Sequence, residues 1–79
     1  MNKRMYAVKD RTAEIFMLPF HAPNDGVARR IFETAKTEDK TMELYGNDFE
    51  CYYIGFYDDK IGWFNNEEPY RVDNREELG

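Results

Sequence analysis

Hydrophobic residues recur along the chain with two spacings, which predict two kinds of element. Short runs that are bounded by turn residues, and in which apolar residues either alternate with polar ones or follow each other directly, predict strands at 4–9, 13–18, 49–57 and 61–64. Between the second and third runs, apolar residues recur every three to four positions over residues 24–38, which predicts an amphipathic helix. The order is ββαββ, so we expect an α+β fold with one helix packed on a small four-stranded antiparallel sheet.

Local signals refine these elements. Asn24 stands where a helix N-cap is expected, because its side-chain oxygen can accept a hydrogen bond from the first turn. Asp25 follows with a charge that suits the helix dipole. Gly55 lies inside the third strand, where glycine is typical of a bulge or of a close approach by another backbone. Pro19 ends the second strand because it has no N–H to donate, and residues 20–23 are expected to form a rigid link.

The length and charge of the chain limit its organisation. Its 79 residues, of which 34% are charged and 16% aromatic, allow one small core of marginal size. We expect a single α+β domain over residues 1–66 and an acidic, mobile C-terminal tail over residues 67–79. The net charge of −5 is unevenly divided, since residues 1–40 carry +2 and residues 41–79 carry −7. This balance argues against a strongly basic nucleic-acid surface.

Several classes of protein are disfavoured by features that the sequence lacks. No apolar run approaches the ~18 residues of a membrane span, and the N-terminal residues do not resemble a secretory signal. We therefore expect a cytosolic protein that does not bind membranes. Cys51 is the single cysteine, which excludes an internal disulfide and a multi-cysteine metal site. Phosphate-binding glycine loops and known catalytic motifs are absent, so we expect no enzyme, no metal and no cofactor.

One nucleophilic pair is formally available. Cys51 and His21, the single histidine, could act as nucleophile and base. Any chain with one residue of each kind meets that condition, so the pattern has little specificity. Cys51 is also typical of a small buried strand residue, and His21 of a loop or cap residue. A small hydrolase is therefore the least supported hypothesis.

The remaining chemistry is a set of aromatic rings and basic groups on the predicted elements. Single-stranded nucleic acid is bound by rings that stack on unpaired bases and by cations that contact phosphates. Because strand side chains alternate between faces, about half of the rings should point outward. Alternatively, the rings fill a small core and a homodimer interface. The candidate nucleic-acid-binding residues are Lys3, Arg4, Tyr6, Lys9, Arg11, Arg29, Arg30, Tyr53, Tyr57 and Trp63.

Three segments of the chain resemble a known family. They cover residues 6–10, 19–32 and 48–58, and the second contains a distinctive Pro-Phe…Asn-Asp…Ala-x-Arg-x-Phe arrangement. In these segments the sequence resembles the small non-structural, DNA-binding proteins of gokushovirus-type microviruses, which are single-stranded DNA phages. The resemblance implies an accessory protein made in the cytoplasm of the host bacterium and absent from the capsid shell. It also implies a role in single-stranded DNA synthesis or packaging, with no catalytic residue.

Two functional hypotheses follow. The first is a phage non-structural protein that binds single-stranded DNA weakly during genome synthesis or packaging, with the basic candidates on phosphates and the tyrosine and tryptophan candidates on bases. The alternative is a homo-oligomeric adaptor whose acidic C-terminal region recruits a phage or host replication protein without direct DNA binding. Both hypotheses include a homodimer, because this many rings in so short a chain should leave some on an outer surface.

Overall fold

The protein is built around a curled antiparallel sheet with one main helix on its inner face. The computed structural model describes residues 2–74. The strands are β1 (Asn2–Asp10), β2 (Ile15–Phe16), β3 (Phe20–Ala22), β4 (Phe49–Asp58) and β5 (Trp63–Arg71), and the helices are α1 (Asp25–Glu38) and α2 (Lys40–Leu44) with a following 3-10 turn (Gly46–Asp48). The strand order is β2-β1-β4-β5, and β3 also pairs with β1. The predicted α+β class with an antiparallel sheet is confirmed.

Two short strands share one edge of β1, where the sequence predicts a single strand over residues 13–18. Residues 10–14 form a wide turn, in which the Asp10 side chain accepts hydrogen bonds from the backbone N–H groups of Thr12 and Ala13. Glu14 closes this turn with a φ of 61°. Because the turn leaves only two residues for β2, which pair with the end of β1, the middle of β1 remains available on this edge and pairs with β3. The segment predicted as a rigid link therefore pairs with β1 as a strand.

The main helix begins as predicted. The side chain of Asn24 accepts a hydrogen bond from the Val27 N–H at 2.9 Å, and Asp25 lies in the first turn. A second, unpredicted helix follows because Asp39 repeats this capping and accepts a hydrogen bond from the Met42 N–H at 3.0 Å. No helix in residues 2–74 combines the length and apolarity that crossing a bilayer requires.

The core lies between the helices and one face of the sheet. Tyr6 and Val8 of β1 and Cys51 of β4 point toward Ala28 and Phe32 of α1 in one buried cluster. Tyr6, Cys51 and Ala28 are completely buried. Burying a large side chain contributes roughly 1.5–3 kcal/mol, so a handful of such residues supplies most of the stability of a domain this small.

The bulge predicted at Gly55 is confirmed. Tyr6 pairs with Tyr53 and Met5 with Gly55, so Ile54 is the extra residue of β4. Gly55 has a φ of 145°, and a Cβ at this position would clash with the carbonyl oxygen of Asn65. The position therefore requires glycine for its backbone conformation and for the close approach of β5.

The last strand is longer than the predicted strand at 61–64. It runs to Arg71, and its register against β4 shifts between Asn66 and Tyr70, which accommodates Pro69 outside the regular ladder. Val72 is buried and its N–H donates to the Cys51 carbonyl at 2.8 Å. Residues 67–72, beyond the boundary predicted after residue 66, are thus part of the folded domain. Residues 75–79 of the predicted tail lie outside the described residues.

Candidate nucleic-acid interface

A group of polar side chains joins three elements at the start of α1, and we call it the central network. Oδ1 of Asp25 accepts hydrogen bonds from the Tyr6 hydroxyl at 2.6 Å and from Arg4 Nη2 at 2.9 Å. Oδ2 accepts one from the Tyr70 hydroxyl at 2.9 Å. Arg4 also donates to the Tyr6 hydroxyl at 2.9 Å and to the Tyr70 hydroxyl at 2.7 Å. The central network therefore ties β1 and β5 to the first residue of α1.

These contacts fix the protonation states of the central network. Burial raises the pKa of Tyr6, and its hydrogen bond to Asp25 raises it further. Burial alone would raise the pKa of Asp25, but the hydrogen bonds donated by the two tyrosines and Arg4 hold it below its usual range. Burial disfavours the charge of Arg4, but its hydrogen bonds to Tyr6 and Asp25 raise its pKa. With a neutral tyrosine pair between an ionised carboxylate and a guanidinium, the central network holds β1, β5 and α1 together through charge-assisted hydrogen bonds.

Tyr53 lies against the same network. The guanidinium carbon of Arg4 is 4.1 Å from the centroid of the Tyr53 ring, and the Tyr6 ring meets it edge-on at 5.7 Å. The Tyr53 hydroxyl donates to Glu67, and burial together with this hydrogen bond raises the pKa of Tyr53 to about 12. Tyr6 is 0% and Tyr53 5% exposed. Neither ring offers a face to a nucleic-acid base, and Arg4 is held by partners inside the protein.

A second group lies on the sheet face that points away from α1, which we call the distal face. Tyr57 pairs with Lys3 of β1 on one side and with Phe64 of β5 on the other. Side chains of paired residues point to the same face, and Lys3 alternates with Arg4, which faces α1. The Lys3 side chain is 43% exposed and Phe64 is 36% exposed. Lys3, Tyr57 and Phe64 thus form a cation and two rings in a line across three strands, which we call the distal row.

Two more of the predicted cations lie near the other end of the sheet. Lys9 is also on the distal face, with Nζ 5.7 Å from the centroid of the Phe16 ring. Arg11 follows β1, with Nε 3.7 Å from a carboxylate oxygen of Glu50. The same carboxylate lies 3.1 Å from Arg71 Nη1 and is 9% exposed. Arg11 and Arg71 therefore balance the charge of a nearly buried carboxylate.

The last three predicted residues lie elsewhere. Arg29 and Arg30 are on α1, in the layer opposite the distal face. Trp63 is 60% exposed at the start of β5, and it alternates with Phe64 and so points to the other side of the β4–β5 hairpin. The structure thus distributes the ten predicted residues over the interior, the distal face, the helix and the hairpin end. Arg4, Tyr6 and Tyr53 meet in the interior, whereas Lys3 and Tyr57 pair with each other on the distal face, where Tyr57 also pairs with Phe64.

The formal nucleophile pair is separated by the sheet. Cys51 is completely buried on the helix side, where burial and the nearby charge of Asp73 raise the pKa of its thiol to about 12. His21 is exposed, and it alternates with Phe20 and Ala22, which pack toward the core. The two side chains therefore lie on opposite faces and cannot act together.

The distal face also carries an apolar cleft of about 420 Å³, which we call the distal cleft. Leu18 is 91% exposed beside it. Glu67 is the charged residue in the wall of the distal cleft, and its carboxylate accepts the hydrogen bond from Tyr53. The apolar residues that line the distal cleft are Ala7, Phe16, Met17, Pro19, Ile54 and Pro69.

Sequence reasoning missed Phe64 and the central network. Phe64 could have been found from the hairpin, because a turn at residues 59–62 fixes which residue of β5 lies opposite Tyr57. The central network has no local signal, since Arg4 and Asp25 are separated by 21 positions and meet only through the packing of α1 on the sheet.

The comparison with known proteins agrees with a phage origin. The sequence matches the family described as "Phage ORF5 protein" over residues 3–78, a span that includes β1, α1, β4 and β5. No curated protein and no solved structure is significantly similar to the chain. The family match covers the central network and the distal row together. The chain is a bacteriophage protein and belongs to the Phage ORF5 protein family.

Proposed function

We propose that this Phage ORF5 protein is a non-structural accessory protein of a gokushovirus-type microvirus, and that it binds single-stranded DNA weakly. The proposed setting is the cytoplasm of the host bacterium, during synthesis or packaging of the genome. The family match supports the phage origin, and the resemblance over residues 6–10, 19–32 and 48–58 supports the microvirus type. The proposed role is not enzymatic, since Cys51 and His21, the one nucleophile and base pair that the sequence offered, lie on opposite faces of the sheet.

The observation that carries the proposal is the distal row. Tyr57 and Phe64 lie side by side on neighbouring strands, and Lys3 lies beside Tyr57. Rings on an open sheet face are a common platform for unpaired bases, and an adjacent cation can contact the phosphate between them. Among the predicted candidates we therefore assign binding to Lys3 and Tyr57, with Phe64 added and with Lys9 further along the same face.

The charges of the protein make this binding weak. Lys3 Nζ lies 3.7 Å from a carboxylate oxygen of Asp59, and the net charge is −5. Two lysines contacting phosphates give a salt slope of about −1.4. Two stacked rings contribute roughly 2–6 kcal/mol, which corresponds to a dissociation constant between about 30 mM and about 40 μM at low salt.

The test is a titration of fluorescent oligo(dT) followed by anisotropy. We expect binding at about 50 mM salt that weakens roughly sevenfold at about 200 mM. Tyr57→Ser and Lys3→Gln should each weaken binding at least about fivefold, whereas Arg30→Gln on α1 serves as a control of equal charge change and should have little effect. No binding at low salt, or a larger loss from Arg30→Gln than from Tyr57→Ser, would overturn the proposal.

A homo-oligomeric adaptor that recruits a phage or host replication protein is the second candidate. The distal cleft favours it, because an apolar cleft whose charged wall residue is already hydrogen-bonded suits a protein surface better than a polyanion. The same titration separates the two candidates. The adaptor predicts no change in oligo(dT) anisotropy at any salt concentration.

A further inference from the structure

Four consecutive apolar residues are exposed in the segment between β1 and β3, which includes β2. They are Ile15, Phe16, Met17 and Leu18, which are 57%, 46%, 43% and 91% exposed. Phe16 pairs with Lys9 and so lies on the distal face, whereas Ile15 pairs with Asp10 and points to the other face. We infer that Phe16, Met17 and Leu18 form, together with the distal cleft, the contact surface for a second copy of the chain, and that Leu18 of each copy enters the distal cleft of the other.

The exposed area is that of an interaction patch. At roughly 200 Å² for a large apolar side chain, Phe16, Met17 and Leu18 together expose on the order of 350 Å². A stable interface buries about 800 Å² on each partner, so these three residues supply just under half of that area and neighbouring parts of the distal face supply the rest. Contiguous apolar patches of a few hundred Å² are often functional.

The geometry favours a second copy over an unrelated protein. In a two-fold dimer the same patch serves both partners, so a projecting group and the cavity that receives it must lie side by side. Leu18 projects between Met17 and Pro19, and both of these residues line the distal cleft. A two-fold axis near the loop would therefore place each Leu18 over the floor formed by Ala7 and Ile54 of the other copy.

The distribution of charge agrees with self-association. Each copy carries a net charge of −5, so two copies can meet closely only through a surface that carries little charge. The distal cleft is such a surface, because six of its eight lining residues are apolar and Glu67 is the one charged residue among them. Lys3 is four positions before Ala7 on β1, and Tyr57 pairs with it, so these two residues lie away from the distal cleft. The dimer thus leaves Lys3 and Tyr57 accessible and does not depend on DNA binding.

Light scattering and sedimentation of the full chain test this inference, with Leu18→Glu as the disrupting variant. Leu18 makes few contacts within its own chain at 91% exposure, so this variant should keep its fold, which circular dichroism checks. Leu44→Glu on α2 is the matched control, because Leu44 is 73% exposed but remote from the distal face. Leu18→Met, which keeps an apolar side chain, is the conservative variant.

We expect the wild type, Leu44→Glu and Leu18→Met to have twice the 9.5 kDa mass of one chain. Leu18→Glu should be monomeric, with a dimer dissociation constant raised at least about 100-fold. A wild type that is monomeric at every concentration, a dimer that survives Leu18→Glu, or equal weakening by Leu44→Glu would overturn the inference. A monomeric wild type would also point to a different protein as the occupant of the distal cleft.

Discussion

Replacing Tyr6 by phenylalanine removes one hydroxyl from the central network while keeping the buried ring. That hydroxyl donates to Asp25 at 2.6 Å and accepts from Arg4 Nε at 2.9 Å. Hydrogen bonds to charged groups contribute about 1.5–3 kcal/mol each. Water can replace part of this loss, because the Arg4 side chain is 37% exposed and Asp25 keeps two other donors. We therefore expect Tyr6→Phe to lower the free energy of unfolding by about 2 kcal/mol.

Urea unfolding followed by circular dichroism measures this loss. With a slope of about 1 kcal/mol per molar urea for a domain this small, the midpoint should fall by about 2 M. The melting temperature should fall by roughly 10 °C. Tyr52→Phe is the matched control, because its hydroxyl makes one hydrogen bond, to a Glu50 carboxylate that Arg11 and Arg71 also contact, so its loss should cost less than half as much.

The dependence of the free energy of unfolding on acid pH tests the central network independently. The folded pKa of Asp25 is below its unfolded value, so its stabilising effect is present at neutral pH and is lost as pH falls through the folded pKa. Tyr6→Phe removes one cause of that low pKa. The stability difference between wild type and Tyr6→Phe should therefore narrow between about pH 5 and pH 2. Equal losses for Tyr6→Phe and Tyr52→Phe, or a difference that does not narrow in acid, would refute the role assigned to the central network.

Three further predictions follow from the same structure. Gly55→Ala should destabilise the protein by about 3 kcal/mol or prevent folding, because Gly55 has a φ of 145° and a Cβ there would clash with Asn65 and Phe64. Gly46→Ala is the control, because its Cβ would meet only the flexible end of Lys36; thermal melts should show a stability change of less than about 0.5 kcal/mol. The free energy of unfolding, measured by urea titration, should fall between about pH 10 and pH 12. In this range tyrosines ionise in the unfolded chain, whereas Tyr53 in the folded protein keeps its proton up to its pKa of about 12. The Tyr6→Phe variant should lose less stability over the same range, because it lacks the raised pKa of Tyr6. Cys51 should react with a thiol reagent at neutral pH only as fast as the protein opens, since it is 0% exposed and its pKa is raised to about 12; a rate equal to that of a free thiol would contradict its burial.

The elements that were predicted correctly are those whose cause is local. The α1 helix follows from apolar residues three to four positions apart and from a capping side chain at Asn24, and both act within a few residues. The bulge at Gly55 follows from the one residue type that accepts its backbone conformation. The short length of β2 was missed because the hydrogen bonds of Asp10 stabilise a wide turn that apolar patterning does not record. Similarly, α2 depends on capping by Asp39 in a segment with a weak apolar pattern.

The candidate site was harder to predict because strand alternation and residue type do not reveal which face the helix covers. Arg4 and Tyr6 look like a cation and a ring available to DNA, yet they lie on the face that α1 covers and pair with Asp25. Lys3 and Tyr57 are also a cation and a ring, but they lie on the distal face. On β1 simple alternation puts Lys3 and Arg4 on opposite faces, whereas on β4 the extra residue Ile54 places Tyr57 on the face opposite Tyr53.

The most direct test of where the protein binds DNA is an NMR titration of the ¹⁵N-labelled full chain with unlabelled oligo(dT) at low salt. We expect the amide shifts to concentrate at Lys3, at Tyr57 and at Phe64, with small changes along α1. Shifts centred on Arg29 and Arg30, or spectra that do not change at millimolar oligo(dT), would contradict the assignment of binding to the distal row.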